Sequence, residues 1–417
     1  MMSAETTAAN DPGPARRVAI TGLGVVSAVG AGVERCLERL LEGDPPYTAL
    51  DGRWGDPGRL GAPVGELDSS RWIAPRRLRR MNQLSRTAVV AAMQALEQSG
   101  LEPSASTGVV IGTGLGALED TCQFIRQIQD DDPSQASPAL FPTTVMNVAA
   151  SQISMALGLQ GYNTTVNHKE ISGELALLVA VEALRVGRAD GLLCGGVDEL
   201  TGPVHHGYRR LGGLAAGRNR PYAVERDGVV LGEGAAVMML EAMAEARGRG
   251  ADVLAEVAGV AATGGDRPMV AWGPGPEQGR VAGPALEAAV AALQGALEQS
   301  EMTPRDIDLV VGSGSGSPDL DRLDGEAIAA VFGDRAVPVT SPHGTLGTWM
   351  ASGALRLVSA VAMLRRQEIY PTVMDGAPDP ALRLPGLVTR RQPARLRAVL
   401  VCGHASGGGS AAAVLVA

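Results

Sequence analysis

The chain has 417 residues, 45% hydrophobic and 19% charged, enough for one large or two ordinary domains and a core that needs no staples. Aromatic residues make up only 3%, so Ala, Val and Leu must fill that core; the 55 glycines, scattered without period, point to tight turns and close backbone packing. A formal net charge of -9 argues against nucleic acid as the main partner.

Residues 1–16 begin "MMSAETTAANDPGPA", with neither a basic start nor an apolar run, and read as a disordered tail. Order is expected from "RRVAITGLGVVSAVG": a buried strand at Val18 to Ile20, a Gly-punctuated turn, then a helix from about residue 31. "RTAVVAAMQALEQSG" carries apolar residues at helical spacing and places Gly100 where a left-handed helix stop belongs. It leads into the strand "TGVVIGTGLG"; "GLLCGGVDEL" and "GAAVMMLEAM" are further strands. Helix and apolar strand alternate throughout, which predicts an α/β protein with buried, mostly parallel sheets.

Two segments recur in the same order. "ALEQSGLEPSASTGVVIGTG" (95–114) returns as "ALEQSEMTPRDIDLVVGSG" (296–314), and "SGELALLVAVEALR" (172–185) returns as "SGALRLVSAVAMLR" (352–365). The chain is therefore expected to consist of two homologous α/β halves, residues 17–252 and 253–417, the first carrying an insertion around residues 118–145.

Four cysteines (Cys36, Cys122, Cys194, Cys402) lie far apart without a C-x-x-C pair, which gives no sequence-visible zinc cluster and fits a reducing cytosol. No apolar run approaches the ~20 residues that span a bilayer. The expectation is a cytoplasmic protein, off the membrane, with no metal. The Gly-rich runs "GTGLGA" and "GSGSGSP" do not continue into a phosphate-binding motif, so no nucleotide cofactor is expected.

In this order and spacing, "RRVAITGLGVVSAVG", "FPTTVMNVAASQISMALGLQGYNTTVN", "RPYAVERDGVVLGEGAAVMMLE" and "VCGHASGGGS" resemble the thiolase-fold β-ketoacyl-ACP synthases, from Arg17 to the C-terminus. The resemblance implies a layered α-β-α-β-α fold. Active members use a Cys at a helix N-terminus to carry the acyl chain and two His to stabilise the enolate formed as malonyl loses CO₂. Here the nucleophile position is Glu170, the first His position Ser313, the Lys position His343, the second His position Thr348, and the gate position of the C-terminal loop His404. "SPDLDRLDGEAIAAVFG", "GTWMASGALRLV" and "SGELALLVAV" are more similar to the chain length factors, or ketosynthase β subunits, of type II polyketide synthases.

That likeness implies a ketosynthase α subunit as partner in a heterodimer, with an acyl carrier protein delivering a phosphopantetheine-bound chain. The stretch containing Leu140, Phe141, Thr143, Thr144 and Met146 falls where the family has its dimer interface and tunnel wall. Arg76, Arg77, Arg79 and Arg80 form the dense basic run, either a solvated helix face or a dock for the acidic carrier. Glu170 has two readings: a cap filling a vacated nucleophile pocket, or an acid or base assisted by His343 or His404, as in a malonyl-ACP decarboxylase or acyl transferase. A stand-alone acyl-binding pseudoenzyme is the third alternative. His168 and Lys169 read as packing or interface residues, and His205 and His206, adjacent in "GPVHHGYRR", as loop residues.

Overall fold

The computed structural model describes residues 16–54, 57–130, 133–266 and 283–417; all but Arg16 of the expected N-terminal tail lies outside them. The first half supplies β1 (Val18–Ser27), β2 (Thr107–Gly112), β3 (Asn163–Val166), β4 (Gly191–Asp198) and β5 (Gly234–Ala242). The second supplies β6 (Ala255–Gly264), β7 (Leu309–Val311), β8 (Val339–Thr340), β9 (Ala398–His404) and β10 (Gly409–Val416). The spatial orders are β3-β2-β4-β5-β1 and β8-β7-β9-β10-β6, so the two halves repeat one topology strand for strand. A short antiparallel ladder between β1 and β6, from Val18↔Val257 to Ile20↔Ala255, joins them into one sheet path.

The sheets are mixed, which corrects the expectation of mostly parallel pairing. In each half the second strand pairs in parallel with the third and fourth. The fourth and fifth strands, and the fifth and first, are antiparallel. Helix–strand alternation hides this, because β9 and β10 form a direct hairpin and β1 pairs antiparallel with both its neighbours, β5 and β6.

The longer helices among the described residues are α1 (Val33–Glu42), α2 (Gln83–Ser99), α3 (Leu118–Gln129), α4 (Val148–Leu157), α5 (Ser172–Arg185), α6 (Gly202–Arg210), α7 (Pro284–Gln299), α8 (Pro318–Phe332) and α9 (Gly353–Arg366). Helix α2 ends at Gly100 with φ 62°, the left-handed stop its sequence predicts. Helices α5 and α9, the two copies of the "SG" repeat, pack on each other and on strands of both halves, forming the middle layer. Helices α2 and α4 cover the outer face of the first sheet, and α7 and α8 that of the second, which completes five layers. The middle helices approach closely: a Cβ added to Gly173 would lie 2.3 Å from the Ala354 backbone nitrogen, so the repeated "SG" is a packing requirement.

Helix α6 corrects the placement of His205 and His206. Thr201 caps its N-terminus and Pro203 sits in its first turn, a start signal that the paired histidines obscured. Among the described residues no helix is long and apolar enough to cross a membrane.

Candidate functional site

Glu170 lies in a single 3₁₀ turn, Lys169–Ile171, between β3 and the start of α5. Lys169 adopts φ 50°, a left-handed conformation that costs a non-glycine residue energy and aims its neighbours. The Glu170 carboxylate is buried and accepts from Ser406 Oγ at 2.9 Å and from the Ser406 backbone N–H at 3.1 Å. From the other side the Lys169 ammonium donates to the Ser406 carbonyl at 2.8 Å. Ser406 belongs to the loop Ala405–Gly408 joining β9 to β10, where Gly407 and Gly408 take φ 109° and 93°. Burial raises the Glu170 pKa above its ordinary value, opposed by the Ser406 hydrogen bonds and the Lys169 charge.

The other positions singled out by the resemblance form no hydrogen bond with Glu170. Ser313, just beyond β7, donates its backbone N–H to Asp324 at 3.0 Å, while its buried Oγ has no partner among the described residues. Among the same residues the buried Thr348 hydroxyl has none either. His343 is enclosed between the Gly314 carbonyl (3.1 Å from Nδ1) and Ser352 Oγ (3.0 Å from Nε2). Burial and the nearby Arg356 guanidinium lower its pKa to about 3, so the ring stays neutral. His404 holds Ser410 Oγ at 2.9 Å and Asp324 at 3.1 Å. Neither imidazole is hydrogen-bonded to Glu170.

Asp324 is the hub that sequence reasoning missed. Burial would raise its pKa, but His404, Tyr222 and Cys402 outweigh that and hold it below the ordinary carboxylate value. Asp324, Cys402 and His404 bring ligand-type atoms within 4.8 Å of one another. Their polar atoms are engaged with each other, Tyr222 and Ser410, as a closed structural network requires. A second buried link, the ion pair of Arg356 with Glu174, ties α9 to α5 beside His343. Three of the four cysteines, Cys36, Cys194 and Cys402, are buried, with thiol pKa values raised by burial; Cys122 is half-buried on α3, away from the Glu170 turn in sequence.

A small crevice with a cavity volume of about 20 Å³, room for about one water, is lined by Leu115, Leu118, Tyr208, Leu231, Thr348 and Met350. Tyr208 lies close enough to Glu170 for that charge to raise its pKa, after burial. Leu118 opens α3, on which Ile125 and Ile128 are exposed; Phe141, Val145 and Met146 are exposed in the segment that follows, Phe141 at 56%. Phe124 and Phe141 pack with ring centroids 5.6 Å apart. Leu140, Thr143 and Thr144 are half-buried, the two threonine hydroxyls bonding back to Leu140 and Phe141 carbonyls. Arg76, Arg77, Arg79 and Arg80 are exposed on and after the turn Pro75–Leu78. Arg77 donates to the Met155 and Ala156 carbonyls at 2.8 Å, capping the end of α4.

The duplicated five-layer fold, with a strand–turn–helix site facing a Gly-rich hairpin, defines a thiolase-fold ketosynthase. The Beta-ketoacyl synthase N-terminal domain matches residues 15–246 and the C-terminal domain residues 254–374. The chain belongs to the β-ketoacyl synthase family. It is 32% identical to nodulation protein E of Rhizobium leguminosarum bv. trifolii, across 88% of this chain and 90% of that protein. It is 30% identical to the tetracenomycin polyketide synthase ketoacyl synthase beta subunit of Streptomyces glaucescens, across 95% and 98%. Among solved structures, the ishigamide ketosynthase/chain length factor superposes with a TM-score of 0.86 at 25% identity, covering 97% of this chain and 99% of that one.

Proposed function

We propose that this chain is a non-condensing ketosynthase-like subunit, a chain length factor. It pairs with an intact ketosynthase, completes the acyl tunnel and helps set polyketide chain length. The observation that carries this is the clasp on Ser406: the nucleophile position holds a carboxylate with its oxygens committed to the loop opposite. Claisen condensation needs a thiolate there and two imidazoles to hold an enolate. Ser313 and Thr348 bring hydroxyls instead, and His343 and His404 are bound into other networks. The beta-subunit name of one relative and the ketosynthase/chain length factor pairing of the ishigamide structure support the same reading.

In this reading the exposed apolar group on α3 and after it, Ile125, Ile128, Phe141, Val145 and Met146, meets the ketosynthase subunit. The acyl carrier protein brings the chain on its phosphopantetheine arm, to the condensing subunit first, in the cytoplasm. Arg76, Arg79 and Arg80 remain open to an acidic carrier.

A second reading rests on the burial of Glu170: a carboxyl whose proton is held more tightly than usual is suited to acid catalysis of malonyl-ACP decarboxylation. Intact-protein mass spectrometry separates the two. Malonyl-ACP incubated with the chain should lose no CO₂ above background, and the chain should gain no acyl mass. Glu170-dependent loss of CO₂ would establish the second reading instead.

A further inference from the structure

Strand β9 carries Cys402 and His404 two positions apart, and the period of two turns both side chains to one face of the sheet. Helix α8 packs against that strand and brings Asp324 to them from 78 and 80 positions earlier in the chain. All three side chains are buried. A ligand set divided between a strand and a distant helix leaves no local spacing to read, and the chain has no C-x-x-C pair to announce it.

The trio converges on one oxygen. Cys402 Sγ lies 3.3 Å from Asp324 Oδ1 and His404 Nε2 lies 3.1 Å from the same atom, with all three within 4.8 Å of one another. Bonds of about 2.3 Å to sulfur and about 2.0 Å to nitrogen and oxygen, at tetrahedral angles, set such atoms about 3.3–3.5 Å apart around a zinc ion. The separations found here are within about 0.2 Å of that. The atoms facing outward are each held by another group: His404 Nδ1 by Ser410 Oγ at 2.9 Å, and Asp324 Oδ2 by Tyr222 Oη and by the Ser313 N–H at 3.0 Å. Metal ligands are oriented by outer hydrogen bonds of this kind.

We propose that Asp324, Cys402 and His404 form a site for a divalent metal ion of the zinc class, binding through Oδ1, Sγ and Nε2, with a water as fourth ligand. The bonds that close the trio on itself are the ones the ion replaces. On binding, the Cys402 thiol gives its proton to solvent, and the His404 ring proton moves from Nε2 to Nδ1, where it donates to Ser410 Oγ. Thiolate and carboxylate then bring two negative charges to an ion of charge +2, which leaves the buried site neutral. Thiolate, imidazole and carboxylate together suit zinc and exclude magnesium and calcium, which take oxygen ligands. Ser313, bonded to Asp324, has a buried Oγ with no partner among the described residues, a group the fourth-ligand water can satisfy. The ion fastens β9, which leads into the Ser406 loop, to α8, whether or not the chain condenses acyl groups.

The test is metal analysis and absorption spectroscopy of the full-length chain purified from cells grown with added zinc or cobalt, because ligands this buried meet their ion as the chain folds. The wild type should hold one zinc per chain. Its cobalt form should show the intense visible bands of a tetrahedral ion and a thiolate-to-cobalt charge-transfer band. Cys122→Ser, which removes the half-buried thiol, should change neither. Against a chromophoric chelator, Cys402→Ala and His404→Ala should each bind zinc at least about a hundredfold more weakly, and Ser410→Ala, which only orients the ring, about tenfold. Circular dichroism checks that each variant folds; where one does not, the wild-type metal content and cobalt spectrum decide alone. A wild type without stoichiometric metal, a cobalt form without the charge-transfer band, or a folded Cys402→Ala with undiminished affinity would overturn the site.

Discussion

Glu170 and Ser406, 236 positions apart in sequence, are joined by the Ser406 Oγ at 2.9 Å and the Ser406 N–H at 3.1 Å. Lys169 reaches the Ser406 carbonyl from beside them, so loop and turn are held from both directions. In the proposed reading, this contact is what holds a carboxylate at the nucleophile position. Ser406→Ala removes one donor from a buried carboxylate and should cost about 1–3 kcal/mol in denaturant unfolding. Ser406→Gly, which adds backbone freedom as well, should cost at least as much.

Glu170 also sets a pH dependence. Its folded pKa is raised above the ordinary 4.5, so the folded chain holds that proton more tightly than the unfolded one. The stability it contributes is complete below 4.5 and is lost as pH rises through the folded value. Glu170→Gln should flatten that loss, measured as unfolding free energy against pH.

His343 acts in the opposite sense. Its pKa falls from 6.5 to about 3, so the folded chain keeps the ring neutral while the unfolded chain takes up a proton. Stability from this group is present above 6.5 and lost as pH falls toward 3. His343→Gln should show less acid destabilisation between 6.5 and about pH 5 than the wild type.

The buried pair of Arg356 and Glu174 should be far more sensitive to losing one partner than both. Arg356→Met leaves a buried unpaired carboxylate and should cost about 3–5 kcal/mol. Arg356→Met with Glu174→Gln should recover much of that, and a double-mutant cycle in denaturant measures the coupling.

Sequence made the duplicated fold legible because both copies of the helix–strand unit, and of the "SG" helix, keep their hydrophobic period and order. The strand directions were not legible, since an antiparallel hairpin such as β9–β10 has the same local pattern as a parallel neighbour. At the site, the chain positions of Glu170, Ser313, His343, Thr348 and His404 could be read, but not their partners. Glu170 finds Ser406, and His404 finds Asp324, through tertiary contacts that no local spacing encodes. Lys169 was readable only as a packing or interface residue; in its left-handed conformation it and Glu170 both reach one serine.

The central claim is that this chain works only beside an intact ketosynthase. The most direct measurement is the mass of the complex recovered when the chain is co-expressed with a Cys-His-His ketosynthase from the same gene neighbourhood and passed over a sizing column with light scattering. A one-to-one heterodimer is expected, with Phe141→Asp, at an exposed apolar position, shifting it toward free subunits. A stable homodimer of this chain that condenses acyl and malonyl groups without any such partner would contradict the account.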